Sequence, residues 1–284
     1  MNLLLCLGFG YVAEALTRSL DPAHWQVMGT TRSEAKLDQI RASGAEPILW
    51  PGTDLGDVLT RATHIVSSVP PRGGEDPALD AVQAATLSRD LRWLALLSTT
   101  GVYGDQDGNW VNETAPVVPA SHRGGLRASQ EQHWLDLSAQ RGWPVHIFRL
   151  AGIYGPGRSA FDKLRDGTAR RIVKPGQIFS RTHVTDIVAI LKASIAAPRT
   201  GGIYNVADDA PCPPQDVIAH AATLLGVPIP PDIPFESADL SPMARSFYAD
   251  NKKVSNALVK SELGVTFTYP SYRDGLAAIL AQEG

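Results

Sequence analysis

Short apolar runs alternate along the first half of the chain with segments whose apolar residues recur at helical spacing. Apolar runs of this kind are typical of strands buried on both faces, and their alternation with helices predicts a parallel sheet with crossover connections. The predicted strands are 2–8, 25–31, 46–50, 64–70, 93–99 and 145–151. The predicted helices are 11–20, 33–43, 54–61, 79–89 and about 124–141. These elements make a doubly wound α/β sheet complete by about residue 151.

Composition narrows the classes of function. With 44% hydrophobic and 19% charged residues, the 284-residue chain is typical of a globular protein, and its net charge of -3 gives no reason to expect nucleic acid or a membrane as partner. Cys6 and Cys212 lie in unrelated contexts, which favours a reducing compartment with no disulfide and no metal site. The apolar start "MNLLLCLGFG" has no basic n-region and leads into a glycine turn. We therefore predict a buried first strand and a cytoplasmic protein.

The first strand is followed by "LGFGYVAEAL", which carries a G-x-G-x-x-A pattern at Gly8, Gly10 and Ala13. The first glycine permits a tight turn, the second lets the backbone approach a pyrophosphate, and the small third residue lets the helix pack on the strand. Its place between a strand and a helix is the context that this motif requires, although the glycines could also form a turn without a ligand. A Rossmann-type fold is therefore predicted. The cofactor-binding residues predicted here are Gly8, Phe9, Gly10, Tyr11 and Val12.

The end of the second predicted strand indicates which dinucleotide is bound. An acidic side chain at this point would bind the ribose hydroxyl of NAD, but the chain reads "GTTRS" and has no carboxylate until Glu34. Thr31, Arg32 and Ser33 suit a 2′-phosphate, because a guanidinium matches phosphate oxygens. NADP is therefore the predicted cofactor and NAD the alternative. In that alternative Arg32 is an ordinary solvated residue.

Two further segments are candidates for cofactor contacts. Asp54, after the third strand, would face the adenine or cap the next helix. Ser68, Val69 and Pro70 end the fourth strand, where backbone would pass the cofactor ribose, or where proline simply terminates the strand.

Glycine and proline become frequent after about residue 155, which divides the chain. We predict a dinucleotide-binding domain over 1–156, to which the chain returns at about 178–207. A smaller C-terminal substrate lobe is then formed by 157–177 and 208–284.

The segment "LLSTTGVYGDQDG" resembles the SSxxVYG segment of extended short-chain dehydrogenases/reductases, the group that holds sugar-nucleotide epimerases and dehydratases. The resemblance continues in order through most of the chain, in "VNETAP", "FRLAGIYGPGR", "RTHVTDIV" and "GGIYNVADD". It implies that Thr99 is the catalytic hydroxyl. Counted back from Glu131, Arg123 and Arg127 occupy the positions of the family's Tyr-x-x-x-Lys pair. Arginine cannot serve as the acid or base at neutral pH, whereas Arg127 would keep the positive charge beside the nicotinamide ribose.

Other departures concern the substrate. Phe179 stands where many sugar-nucleotide enzymes of the family carry an arginine, and Arg181 is a candidate to compensate. These features resemble the atypical, epimerase-like branch. Tyr154 lies in a family motif and is a candidate for the substrate cleft, with packing as the alternative.

The remaining candidates bear on proton transfer. Arg123 is predicted to bind an anionic group, because Gly124 and Gly125 are expected to leave open space beside it, with a solvent-facing side chain as the alternative. Two residues are candidate proton donors. Tyr103 lies in a family motif, and His122 directly precedes Arg123 in the sequence. Their alternatives are packing for Tyr103 and an exposed loop position for His122.

Two hypotheses follow. The first is an NADP-dependent oxidoreductase or epimerase-like enzyme acting on a small polar, anionic or sugar-like molecule. It has no nucleic acid or membrane partner in this hypothesis, and either a monomer or an oligomer is compatible with it. The second is an NADP-binding sensor that has lost catalysis; a scaffold without ligand would not need the glycine turn.

Overall fold

The computed structural model describes residues 1–199 and 201–283. The strands are β1 (Asn2–Leu7), β2 (Trp25–Thr31), β3 (Glu46–Leu49), β4 (His64–Ser67), β5 (Trp93–Thr99), β6 (Trp110–Val111), β7 (Val145–Leu150), β8 (Gly152–Tyr154), β9 (Arg171–Val173), β10 (Arg181–His183), β11 (Gly202–Val206), β12 (Asp232–Pro234) and β13 (Lys253–Val254). The α-helices are α1 (Tyr11–Ser19), α2 (Leu37–Ala42), α3 (Gly56–Arg61), α4 (Pro77–Ala84), α5 (His122–Arg141), α6 (Ala160–Arg165), α7 (Val184–Ala196), α8 (Pro214–Leu225), α9 (Pro242–Phe247), α10 (Ala257–Leu263) and α11 (Tyr272–Glu283).

The chain divides into two compact units. The first unit comprises 1–98, 126–149 and 188–204, and the second comprises 99–125, 150–187 and 205–284. The second unit thus includes 99–125, which the sequence placed in the dinucleotide-binding domain.

A seven-stranded parallel sheet, in the order β11-β7-β5-β4-β1-β2-β3, confirms the predicted Rossmann-type fold. Six of its strands are those predicted before residue 151, and β11 adds the seventh after the chain returns. The order reverses between β1 and β4, because the chain runs outward through β2 and β3 and then starts again on the other side of β1. In open α/β sheets this switch point, at the carboxyl ends of the strands, is where ligands bind.

Alternate residues of the strands face opposite layers of helices. Leu94 and Leu96 of β5 belong to a core that also contains residues of α3, α4 and α5. On the opposite face, Trp93 of the same strand donates through Nε1 to Ser194 Oγ of α7, at 2.8 Å. Burial on both faces explains why these strands appear in the sequence as continuous apolar runs.

Helix boundaries differ from prediction where a local start signal was overlooked. α4 begins at Pro77 because the carboxylate of Asp76 accepts from the N–H groups of Ala78 and Leu79, and proline suits the first helical position. It ends at Ala84, five residues before the predicted end. The predicted helix 33–43 is a 3₁₀ turn, Glu34–Lys36, followed by α2.

The second unit has its own cores and short strand pairs. β8 pairs with β10, β9 with β12 and β6 with β13, all in parallel. Phe161 of α6, Ile218 of α8 and Leu276 of α11 share one buried cluster. Among the helices of the described residues, none has both the length and the hydropathy needed to cross a membrane.

Candidate functional site

The candidate residues divide between the two units. The residues predicted to bind cofactor, together with Arg127, lie in the first unit. The candidates for chemistry and substrate in the second unit are Thr99, Tyr103, His122, Arg123, Tyr154 and Arg181.

The glycine turn after β1 is held by backbone and hydroxyl contacts to neighbouring strands. The Gly8 N–H donates to Thr30 Oγ1 at 2.7 Å, and Ser68 Oγ donates to the Gly8 carbonyl at 2.8 Å. Gly8 has φ +85°, and a Cβ on it would lie 2.8 Å from Ser68 Oγ. Both the backbone conformation and the close approach therefore require glycine at this position.

Gly10 is different, because nothing in the protein requires it to be glycine. Its backbone is extended, with φ -114° and ψ -168°, and a Cβ built on it would meet no heavy atom within 4 Å. It lies directly before Tyr11 and Val12 at the start of α1, where N–H groups face outward and favour an anion. The turn therefore fits a pyrophosphate that approaches the backbone closely.

The candidates for the 2′-phosphate follow β2. The Ser33 N–H donates to Thr31 Oγ1 at 3.2 Å, which closes a local turn, and Arg32 between them is exposed. The first carboxylate of this segment, Glu34, is exposed in the 3₁₀ turn. This arrangement leaves a cation, and no carboxylate, directly after β2.

Sequence reasoning missed Lys36 as a second cation near the turn. Lys36, Phe9, Gly10 and Tyr11 are among the residues that line a cavity of about 160 Å³. A signal was available, because Lys36 follows Arg32 by four residues.

The other predicted cofactor residues have identifiable contacts. Asp54 is exposed, and its Oδ1 accepts from the Gly56 N–H at 3.0 Å at the start of α3, which favours the capping alternative. The Val69 carbonyl, just beyond β4, accepts from Gln130 Nε2 at 3.1 Å. β4 ends at Ser67, before Pro70.

Arg127 lies at the carboxyl ends of β4 and β5. Its Nη1 is 3.4 Å from the Val69 carbonyl and 2.7 Å from Gln130 Oε1, and its Nη2 donates to the Leu97 carbonyl. The half-buried guanidinium therefore holds a permanent positive charge at this edge of the sheet.

Glu131, from which the motif positions were counted, proves to be structural. It forms an ion pair with Arg149 of β7, with Oε2 2.8 Å from Nη2, and both side chains are 4% exposed. Ser98 Oγ of β5 donates to its other oxygen, Oε1. The middle of α5 is thus fixed to two strands by a buried, charge-assisted network.

In the second unit, Thr99 closes β5 and caps the 3₁₀ turn Thr100–Tyr103. Its Oγ1 accepts from the Gly101 N–H at 3.1 Å, and the residue is half-buried. A hydroxyl that accepts one backbone bond still has its own proton to donate to a carbonyl or alcohol.

The first turn of α5 corrects one expectation. His122 and Arg123 are exposed, but Gly124 does not leave open space. A Cβ on Gly124 would lie 2.9 Å from the Gly101 carbonyl oxygen and 2.9 Å from Pro119 Cβ, whereas one on Gly125 would meet nothing within 4 Å. Gly124 is therefore required by packing.

The two tyrosines of the family motifs serve packing in the second unit. Tyr103 is fully buried and donates to Asn205 Oδ1 at 2.7 Å. Tyr154 donates to the Ser271 carbonyl at 3.2 Å, and burial, with Asp208 nearby, raises the pKa of Tyr154 above its usual value. These contacts favour the packing alternative for both residues, and the roles of Tyr103 in proton transfer and of Tyr154 at the substrate stay predictions.

Arg181 has partners of its own. Its Nη1 is 2.8 Å from Cys212 Sγ, and its guanidinium carbon lies 5.6 Å from the centroid of the Tyr272 ring. Burial raises the pKa of Asp208 to about 7, while Arg181 acts to lower it. Asp208 is a titratable group that the sequence analysis did not single out, and Arg181 as a substrate ligand stays a prediction.

A Tyr-x-x-x-Lys spacing does occur in the chain, at Tyr248 and Lys252, but outside any helix that could present both side chains on one face. Tyr248 follows α9 and packs against Phe179, with ring centroids 5.3 Å apart. Lys252 Nζ donates to the Gly104 carbonyl at 2.8 Å. Both residues stabilise the second unit.

Comparison with solved structures identifies the class of proteins that share this fold. dTDP-glucose 4,6-dehydratase from Bacillus anthracis, in complex with NAD, matches with a TM-score of 0.78 and 18% identity over 100% of this chain and 96% of that chain. The protein therefore has the fold of the NAD-dependent epimerases and dehydratases. A conserved protein of unknown function from Silicibacter pomeroyi matches with a TM-score of 0.93 and 52% identity over 99% of both chains. This chain belongs to the same family as that protein.

Two curated relatives are also similar. Protein YeeZ of Escherichia coli is 28% identical over 95% of this chain and 97% of its own. A 3-diazoavenalumate denitrifying reductase from Streptomyces is 30% identical over 46% of this chain and 45% of its own. No protein-family model matches the chain.

Proposed function

We propose that the protein binds NADP(H) and is a cytoplasmic oxidoreductase or epimerase-like enzyme of the atypical short-chain dehydrogenase/reductase type. Its substrate is a small polar molecule that is anionic or sugar-like. The observation that carries the proposal is Gly10, where the open space at the start of α1 would let a ligand approach the backbone closely. The NAD complex of the structurally similar dehydratase and the partial similarity to a reductase support a nicotinamide cofactor.

NADP is proposed over NAD because cations follow β2 where NAD enzymes place a carboxylate. Arg32 is exposed, and Lys36 lines the cavity beside Gly10. Either cation would form charge-assisted hydrogen bonds to a 2′-phosphate. Glu34 does not take the place of the missing carboxylate, because it lies beyond Arg32 in the 3₁₀ turn.

The bound nicotinamide would supply or accept a hydride, and the protein would supply polarisation and charge. We propose that the Thr99 hydroxyl polarises the reacting carbonyl or alcohol and that Arg127 places a positive charge beside the nicotinamide ribose. Tyr103 and Tyr154 each donate to an acceptor within the protein, which favours His122, water or the substrate as the group that transfers the proton.

Titration of the purified protein with NADPH and NADH tests the cofactor, and turnover of bound NADPH with a library of carbonyl compounds tests the reaction. We expect binding of NADPH at least about tenfold tighter than that of NADH, from one charge-assisted contact. Equal affinities would contradict the role of Arg32, and no affinity for either would contradict the whole proposal.

A second function, an NADP-binding sensor without catalysis, is favoured by one observation. The residue at the family's tyrosine position, Arg123, cannot exchange a proton near neutrality, and it is exposed at the helix start. Tight NADPH binding without turnover of any library member would favour the sensor. Oxidation of NADPH that is lost in the Thr99→Val variant would favour the enzyme.

A further inference from the structure

The guanidinium of Arg127 is held by acceptors from three parts of the first unit. Two are backbone carbonyls, of Val69 after β4 and of Leu97 in β5, and the third is the side-chain oxygen of Gln130, one helical turn further along α5. Arginine can satisfy such a set because its donors form a planar fork, whereas a lysine ammonium is a compact charge on a flexible stem. The contacts therefore fix the plane of the charged group as well as its position.

Gln130 can accept from Arg127 because two acceptors bind the nitrogen of its amide and so fix which way the oxygen points. Both hydrogens of its Nε2 are used, one toward the Val69 carbonyl at 3.1 Å and one toward Asp76 Oδ2 at 2.7 Å. Oε1 then faces Arg127 Nη1 at 2.7 Å. A flipped amide would lose all three bonds, since its oxygen would face two acceptors.

The last member of the chain is a buried carboxylate, Asp76, which is 6% exposed. Its Oδ1 accepts from the N–H groups of Ala78 and Leu79 at the start of α4. Its Oδ2 accepts from Gln130 Nε2 and from the indole Nε1 of Trp134, at 2.7 and 2.6 Å. A carboxylate that accepts hydrogen bonds from four donors is held in one orientation.

We propose that Asp76 and Gln130 are positioning residues for Arg127, and that through it they set the affinity for the nicotinamide half of the dinucleotide. This rests on the proposed binding of a dinucleotide. Asp76 orients the amide of Gln130, and Gln130 in turn orients the guanidinium of Arg127. The network ends at the Val69 carbonyl, which accepts from both Arg127 and Gln130.

The test compares two ligands, NADPH and the adenosine bisphosphate that forms the adenine half of NADP. The Gln130→Met variant removes both ends of the amide at similar volume. We expect its affinity for NADPH to fall about tenfold, as for the loss of a hydrogen bond to a charged group, and its affinity for the adenine half to change less than about twofold. The matched control is Gln132→Met, at an exposed position of the same helix whose amide reaches only Asp136 in the next turn.

A double-mutant cycle decides whether Gln130 acts through Arg127. In the Arg127→Ala background, Gln130→Met should change NADPH affinity by less than about twofold, because the group that it orients is gone. An equal tenfold loss in that background, or an equal loss of both ligands, would overturn the proposal. If Gln130→Met does not fold, Asp76→Asn enters the same cycle with the same expectations. An unmutated protein that binds neither ligand would instead contradict the proposed function.

Discussion

The turn after β1 and the first turn of α5 differ in how firmly their surroundings hold them. Around Gly8, a threonine hydroxyl of β2 and the hydroxyl of Ser68 bind the backbone from two sides. At the start of α5, Ser121 Oγ accepts from the Gly124 N–H at 3.0 Å and the two preceding side chains, His122 and Arg123, are exposed. A turn fixed by neighbouring strands tolerates few residues, whereas an exposed helix start accepts many at little cost in stability. The turn that we propose to bind cofactor is therefore constrained, whereas the exposed positions 122 and 123 at the start of α5 are not.

The largest expected effect concerns the middle of α5, whose buried contacts hold the helix and leave the exposed positions 122 and 123 free to vary. Glu131→Gln should lower the free energy of unfolding by about 3 kcal/mol, because it leaves the buried charge of Arg149 without its partner. Urea denaturation measures this change. Arg123→Ala, on the same helix, is the control and should change stability by less than about 0.5 kcal/mol. Similar losses in the two variants would break the contrast between the start and the middle of α5.

The second effect tests the turn after β1. Gly10→Val should weaken binding of NADPH about hundredfold, because a branched side chain would occupy the path of the pyrophosphate. The free energy of unfolding should fall by no more than about 1 kcal/mol, since a Cβ at Gly10 meets no atom of the protein and the change replaces only a favourable N-cap glycine. Calorimetric titration and thermal unfolding of the same sample give both numbers. Full affinity in this variant would show that the glycine serves no ligand.

A smaller effect than that of Gly10→Val is expected on the preference for NADPH over NADH. Arg32→Ala should weaken NADPH binding about tenfold and leave NADH binding unchanged, through loss of one charge-assisted contact. Arg41→Ala is the matched control, because Arg41 is exposed on α2 and pairs with Asp38 of its own helix. An equal change in both nucleotides would place Arg32 outside the phosphate site.

The smallest effect belongs to the exposed arginine at the helix start. Arg123→Ala should weaken binding of inorganic phosphate about threefold, as expected for one solvent-screened charge, and the difference should disappear at high salt. Ligand-observed titrations at two ionic strengths measure it. Unchanged phosphate binding at low salt would leave Arg123 as a solvated residue with no ligand.

The elements that could be predicted are those whose signal is local. β2 and β5 match their predicted bounds residue for residue. β5 begins with an uninterrupted apolar run of five residues, which makes its signal local. The glycine turn was also predictable, since its motif, strand and helix lie within a few residues of one another. α4 was misplaced because its start signal, Asp76 followed by Pro77, was overlooked.

What could not be predicted depends on contacts between distant parts of the chain. Asp76 meets Gln130 and Trp134 across 54 and 58 residues, and no local pattern indicates such a cluster. Gly124 looked like open space because the carbonyl of Gly101 that crowds it comes from another segment. Burial of Tyr103 and Tyr154 likewise depends on partners more than 100 residues away.

The first unit is built from three separate segments of the chain, and this affects its folding during synthesis. The neighbour of β7 on its outer side is β11, and about 50 residues separate the end of one from the start of the other. At ribosomal speeds these residues take roughly 3 to 10 seconds to synthesise, and during that interval β7 is an unpaired edge. α7, which supplies Ser194 beneath Trp93, emerges in the same interval. The nascent chain therefore exposes the unpaired edge of β7 until β11 leaves the ribosome and completes the sheet.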